Sequence, residues 1–148
     1  MSVLARIVMA FIAYVFACVA AALVLTIGSF APDWNELMIL LGLNSAAAQS
    51  AALWWITGVA AMMIFLIGFF PAALVIALTE GLALRSSIVY GVVGAALALA
   101  MAYGLDFAGY LTAPDADIAR NREVFAAAGI AGGLVYWLIA GRRAGARK

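Results

Sequence analysis

The sequence predicts an all-α integral membrane protein, in which four transmembrane helices form an antiparallel bundle and a short interfacial helix lies in the first external loop. Two observations predict this fold class. Apolar residues make up 69% of the 148 residues and charged residues 10%, whereas soluble domains contain about 45–50% and about 25%. The apolar residues also form four long runs, and about 20 such residues are enough to cross a bilayer. We therefore expect a single membrane domain, 1–148, with crossings near 7–27, 53–78, 87–104 and 124–140.

The first apolar run, 7–27, is long enough to cross the membrane. A cleaved signal peptide is the alternative, but its apolar core would be only about 7–15 residues long and would end at a small-residue cleavage site. Here apolar residues continue through 23–28, so we expect a retained anchor. The lone Cys18 is interpreted as a small core residue rather than a lipoprotein processing site, because the residues that follow it stay hydrophobic.

The segment after the first crossing, 31–52, is expected to leave the membrane. Asp33 and Glu36 form a capping-box pattern, which predicts a short helix that ends at Gly42. This helix is too short to cross and still carries apolar residues. We expect it to lie in the headgroup region with Trp34 as an anchor, or to pack over the mouth of the bundle.

The second and third crossings are expected to form the hairpin around which the chain is organised. The connection between them is short, so the two helices should be adjacent and antiparallel. Trp54 and Trp55 lie where an interfacial aromatic belt is expected, and Pro71 should bend the second helix because it removes one backbone hydrogen bond. The connection carries the only charges of the hairpin, Glu80 and Arg85.

The third crossing is expected to begin at a cap formed by Ser86 or Ser87. Small residues then recur three and four positions apart and make one smooth face, at Gly91, Gly94, Ala95 and Ala98. Such a face allows a neighbouring helix to approach closely.

The fourth helix is expected to begin outside the membrane. Thr112 and Asp115 form a second capping-box pattern there, with Pro114 in the first turn. The crossing itself follows the charged opening of the helix. At its far end, Tyr136 and Trp137 are expected to lie at the membrane interface as anchors.

Two pairs of small residues mark the fourth crossing. Gly129 and Gly133 form a GxxxG pair, and Ala128 and Gly132 form a second pair beside it. In lipid, helices are joined by close packing rather than by hydrophobic exclusion. The GxxxG pair therefore predicts a tight helix contact, either within the chain or between chains.

The distribution of charge predicts the orientation. If successive loops alternate sides, six of the eight Lys and Arg residues lie on one side, namely Arg6, Arg85, Arg142, Arg143, Arg147 and Lys148. Only Arg120 and Arg122 lie on the other. Because Lys and Arg near helix ends mark the cytoplasmic side, both termini should be cytoplasmic. The Arg-rich and Ala-rich composition is usual for GC-rich bacterial genes, so we expect a multi-pass protein of the bacterial inner membrane.

The sequence contains no His and a single Cys. These counts argue against His-ligated haem, His-containing zinc sites, imidazole-based hydrolysis and any internal disulfide or dithiol redox pair. No basic stretch lies outside the membrane flanks, which argues against nucleic acid as a partner. We expect no catalytic residue, no cofactor and no metal, and we expect the partners to be the lipid bilayer, other membrane subunits or another copy of the chain.

The leading hypothesis is a non-catalytic four-helix inner-membrane protein that acts as an accessory, assembly or scaffold subunit of a membrane complex, or as a self-associating bundle. It is motivated by the absence of charged residues from three of the four apolar cores, where transporters usually place ionisable groups. The alternative is a small transporter or channel with an inner gate around Glu80 and Arg85. Glu80 is interpreted first as an interfacial helix end and second as a functional carboxylate. The residues singled out for function or packing are Glu80, Arg85, Pro71, Gly129 and Gly133.

Overall fold

The computed structural model describes residues 3–30, 33–81, 86–107 and 115–143. These residues form five α-helices and a 3₁₀ turn, and no strand occurs among them. In chain order the elements are α1 (Val3–Phe30), α2 (Trp34–Leu40), α3 (Ala46–Gly81), α4 (Ser87–Phe107), α5 (Asp115–Ile139) and the 3₁₀ turn (Gly141–Arg143).

Four helices of the described chain, α1, α3, α4 and α5, are long and apolar enough to cross a membrane. Their candidate spans are Ile7–Phe30, Ala46–Val75, Ser87–Gly104 and Asn121–Ile139. The predicted all-helical class with four apolar helices of membrane-crossing length is therefore confirmed.

The start of α3 differs from the prediction. The segment up to Ala52 was expected to lie outside the membrane, but α3 and its candidate membrane span both begin at Ala46. The reason is a cap at Ser45, whose Oγ accepts a hydrogen bond from the backbone N–H of Ala48 at 3.2 Å. This bond satisfies one of the unpaired donors of the first turn, and the alanines that follow are the strongest helix formers.

α3 is long enough to include both this early start and the crossing predicted at 53–78. Its 36 residues span about 54 Å at 1.5 Å per residue, whereas the hydrocarbon core is about 30 Å thick. Trp54 and Trp55 are exposed more than two turns after the helix begins. Pro71 lies inside the helix, which continues to Gly81. The bend expected at Pro71 stays a prediction.

The short helix α2 begins after Asp33 and ends at Gly42, as predicted, but it lacks the predicted capping box. Gly42 adopts a φ of 69°, and the N–H groups of Gly42 and Leu43 donate to the carbonyls of Ile39 and Met38 at 3.0 and 2.9 Å. This is the Schellman arrangement, in which glycine at the left-handed position satisfies the last carbonyls. Asp33 does occupy the N-cap position, but its side chain makes no capping hydrogen bond. The predicted capping box is therefore wrong: Asp33 has a ψ of 10° instead of the extended conformation usual at an N-cap.

The second capping box was predicted for the fourth helix. α5 begins at Asp115. Thr112 and Pro114 lie outside the described residues, so the second capping box stays a prediction. At the same end, the guanidinium carbon of Arg122 lies 4.6 Å from the centre of the Tyr103 ring. This cation–π contact joins the start of α5 to the end of α4.

The helices do not pack in the order expected from the chain. α5 lies between α1 and α4 and packs closely on both, whereas α3 packs on α1 and barely touches α4. The predicted hairpin of the second and third crossings is therefore wrong as a packing unit. A short connection keeps two helices near each other along the chain, but close lateral packing in lipid needs small residues on both faces. α4 finds that partner in the glycines of α5.

Candidate functional site

The closest helix contact in the described chain is the one between α4 and α5. A Cβ placed on Gly129 would lie 2.7 Å from the Ala98 Cβ and would clash with the backbone carbonyl of Gly94. A Cβ on Gly133 would lie 2.9 Å from the carbonyl carbon of Tyr90. Real side chains do not approach this closely, so only glycine fits at these two positions of α5. The structure thus places both glycines of the GxxxG pair against α4, with Gly94 of the predicted smooth face opposite them.

The second pair of small residues on α5 faces a different helix. A Cβ on Gly132 would lie 3.1 Å from the carbonyl oxygen of Ala17 and 3.3 Å from the Cβ of Ala21 on α1. Ala128, one turn earlier, is also buried. The two small faces of α5 therefore allow it to contact α4 on one side and α1 on the other.

The contact between α1 and α3 has a different chemistry. The Tyr14 hydroxyl donates a hydrogen bond of 3.1 Å to the backbone carbonyl of Phe65, and the two rings lie 5.4 Å apart. Phe11 packs edge-on against Phe65 at 6.1 Å, and Phe69 lies 6.2 Å from Tyr14. A Cβ on Gly68 would lie 3.3 Å from the Tyr14 hydroxyl oxygen. Aromatic rings and one hydrogen bond thus hold α3 on α1, and Gly68 leaves room for the Tyr14 hydroxyl; this differs from the backbone-to-backbone glycine contact between α4 and α5.

A cavity of about 160 Å³ lies between the four long helices. We call it the central cavity. Each helix contributes to its wall, with Tyr14 and Cys18 from α1, Pro71 and Ala72 from α3, Gly94 and Leu97 from α4, and Gly129 and Gly133 from α5. Three of the residues singled out in the sequence, Pro71, Gly129 and Gly133, therefore line the same space.

The chemistry of the central cavity is almost wholly apolar. Its described lining residues include no Asp, Glu, Lys or Arg. Tyr14, Tyr90, Tyr136 and Cys18 are its side chains with hydrogen-bonding groups. Among the residues that the structure describes, no three His, Cys, Asp or Glu side chains come together as metal ligands would. A lining of this kind suits an apolar occupant.

Two tyrosines in the lining of the central cavity stack on each other. The rings of Tyr90 and Tyr136 stack with centroids 5.7 Å apart. Tyr136 was expected at the membrane interface, but it is only 6% exposed and belongs to the buried core. The ring therefore packs against a partner on α4 that was not apparent in its own helix, and its place at the membrane interface stays a prediction. Its neighbour Trp137 is partly exposed, with the guanidinium carbon of Arg142 5.7 Å from its ring centre.

The two charged candidates are not brought into this site by the described structure. Glu80 lies in the last turn of α3, but the position of its side chain is outside what the structure describes. Arg85 lies in the gap between 81 and 86, also outside the described residues. The pairing of Glu80 with Arg85 and their place at a gate stay predictions.

Sequence reasoning overlooked Tyr14, the residue that joins α1 to α3. The sequence does indicate this residue, because a tyrosine in the middle of an apolar run places its hydroxyl where lipid offers no hydrogen-bond partner. Cys18, one turn later, is buried in the same cluster, which confirms its interpretation as a small core residue.

Comparison with known proteins adds no assignment to these observations. No protein-family model matches the chain, and no curated protein or solved structure matches it.

Proposed function

We propose that the chain is a non-catalytic membrane protein that acts as an accessory, assembly or scaffold subunit of a membrane complex, or that associates with itself as a bundle. The observation that carries the proposal is the exposure of α3. Within its candidate span, Ala46–Val75, only Thr57 and Gly68 are buried, and most of its large apolar side chains are exposed, with Trp55 76% and Phe70 80% exposed. A helix held on one side by α1 offers the rest of its surface to lipid or to a helix of another protein.

The proposal includes an antiparallel arrangement of the four long helices. It is supported by the order of contacts, because Gly94 lies against Gly129 whereas the earlier Tyr90 lies against the later Gly133. In the same way, Gly28 near the end of α1 meets Val124 near the start of the α5 span. Short connections between successive crossings favour the same arrangement.

The proposal also places α2 at the membrane surface. Met38 is fully buried, whereas Leu40 is 85% exposed, so α2 holds one residue inward and presents apolar side chains outward. A short helix with exposed apolar side chains is more favourably placed in the headgroup region of a membrane than in water. The charge asymmetry supports both termini in the cytoplasm, and the Arg-rich and Ala-rich composition supports a bacterial inner membrane.

Purification from native membranes in a mild detergent tests the subunit role. We expect a second membrane protein to be retained in a fixed ratio. Replacing the exposed Met62 and Met63 of α3 by Ala should reduce that retention, whereas Val92→Ala on the exposed face of α4 is the matched control and should not. A chain that purifies alone as a monomer would contradict the proposal.

The second candidate is a small transporter or channel with an inner gate around Glu80 and Arg85. One observation favours it: Pro71, which would serve as the hinge of such a gate, lines the central cavity. Recovery of a homo-oligomer without another protein would strengthen this candidate. Flux of an ion or solute through reconstituted vesicles would then distinguish it from a self-associating scaffold.

A further inference from the structure

The wall of the central cavity is incomplete where α3 faces α4. α1 packs on α3 and on α5, and α5 packs on α4, so three sides of the cavity are closed by helix contacts. α3 and α4 barely touch, although both line the cavity, with Ala72 on one side and Leu97 on the other. Both helices have the length and composition to cross the membrane. The medium that meets this gap in a bilayer is therefore hydrocarbon.

The lining of the central cavity favours an occupant whose buried end carries no polar groups. The Tyr14 hydroxyl is already engaged by the carbonyl of Phe65, and charged side chains are absent from the described lining. A ligand with several polar atoms would lose hydrogen bonds to water and gain few in return, which costs several kcal/mol in an apolar site.

The size of the cavity narrows the choice further. Its volume of about 160 Å³ is close to that of an engineered apolar cavity of about 150 Å³ that binds benzene. A partner helix is about 10–12 Å across with its side chains and does not fit. A few methylene groups of a flexible chain do fit, and they can follow the gap between α3 and α4 out to the bilayer.

We propose that the central cavity is a binding site for an acyl chain of a bilayer phospholipid, which enters between α3 and α4. The acyl chain takes the place of the helix contact that α3 and α4 lack. It also fills a void whose lining atoms would otherwise lose van der Waals contacts. The proposal needs the protein to lie in a bilayer but does not depend on its role as a subunit.

Photolabelling in lipid nanodiscs tests it. The full-length chain is reconstituted in phosphatidylcholine doped with a phosphatidylcholine that carries a diazirine within one acyl chain, and labelled positions are mapped by mass spectrometry. Cys18 and Ala128 line the cavity and are almost wholly shielded from the outer surface. We expect label at both, besides label on the exposed Met62 and Met63. If the wild-type protein is labelled only at exposed residues, the proposal is wrong, and no variant is needed to show it.

A matched pair of variants provides the control. Ala72 lines the cavity, whereas its neighbour Ala73 is exposed. Ala72→Phe should abolish the label at Cys18 and Ala128 while leaving the label at Met62 unchanged, which also reports that the helices remain inserted. Ala73→Phe should leave all positions labelled as in the wild type. Equal loss in both variants, or persistence of the inner label in Ala72→Phe, would contradict an acyl chain in the cavity.

Discussion

The Tyr14 hydroxyl donates a hydrogen bond of 3.1 Å to the backbone carbonyl oxygen of Phe65, and this bond joins α1 to α3. The contact matters because the rest of the α3 surface is mostly exposed. Position 14 therefore controls how α3 is held on α1, through one hydrogen bond and a set of tilted and edge-on ring contacts.

Replacing Tyr14 should separate these two contributions. Tyr14→Phe keeps the ring and removes the bond, so we expect a loss of about 0.6 kcal/mol, the average for hydrogen bonds between membrane helices. Tyr14→Ala also removes the packing of the ring and should cost about 3–5 kcal/mol. Unfolding measured in bicelles checks both values. Tyr103→Phe, at an exposed position, is the control and should leave stability unchanged.

The close α4–α5 contact predicts that its glycines do not tolerate replacement even by alanine. Gly129→Ala places a Cβ against the Gly94 carbonyl, so the helices must move apart and stability should fall by about 1–3 kcal/mol. Leu at Gly129 or Gly133 should cost more. Gly58→Ala is the matched control, because no atom lies within 4 Å of the new Cβ. Its effect should be neutral or stabilising, since alanine is the better helix former. Equal melting of the Gly129 and Gly58 variants would show that the pair does not hold the helices together.

Two buried threonines predict a gain in stability. The Oγ1 atoms of Thr26 and Thr57 are buried in the described structure and have no hydrogen-bond partner there. Valine has the same shape without the hydroxyl, so Thr57→Val should stabilise by about 1 kcal/mol or more, because an unpaired buried hydroxyl costs about 1–3 kcal/mol. Thr26→Val should act in the same direction. A destabilised valine variant would reveal a hydrogen bond to the hydroxyl within the membrane.

The orientation can be checked by reporter fusions. Fusions after Lys148 and after Arg85 should report the cytoplasm, and fusions after Asn44 and after Asp117 the external side, because of the six-to-two distribution of Lys and Arg. A C-terminus on the external side would refute the four-crossing arrangement. The intact mass of the purified protein is an independent check, since loss of an N-terminal segment would mean that the first helix is a cleaved signal.

Glu80→Gln distinguishes the two interpretations of the carboxylate in the last turn of α3. Glutamine keeps the shape and removes the charge, so we expect near-normal insertion, stability and partner association. A surface pair with Arg85 would contribute only about 0–1 kcal/mol. If the variant folds normally but loses all physiological activity, the interfacial interpretation is wrong and the transporter becomes the first candidate.

Several local features were readable from the sequence because their causes are local. Runs of apolar residues predict helices of crossing length wherever they occur. Gly42 was recognised as the end of α2 because only glycine readily adopts the left-handed conformation at that position. The Ser45 cap was also present in the sequence and was overlooked, so the start of α3 was placed too late.

By itself, the sequence determined the class of the protein, the number of long apolar helices and the positions at which glycine permits close approach. The tertiary structure alone decided which helices use those positions. α5 meets both α1 and α4, Tyr14 holds α3 on α1, and α3 and α4 line opposite sides of a cavity instead of packing as a hairpin. The physical reason is that each long helix is apolar almost all round along most of its candidate membrane span. Hydrophobicity then does not distinguish one face from another, and the neighbour of each helix is chosen by the fit of small and large side chains in space.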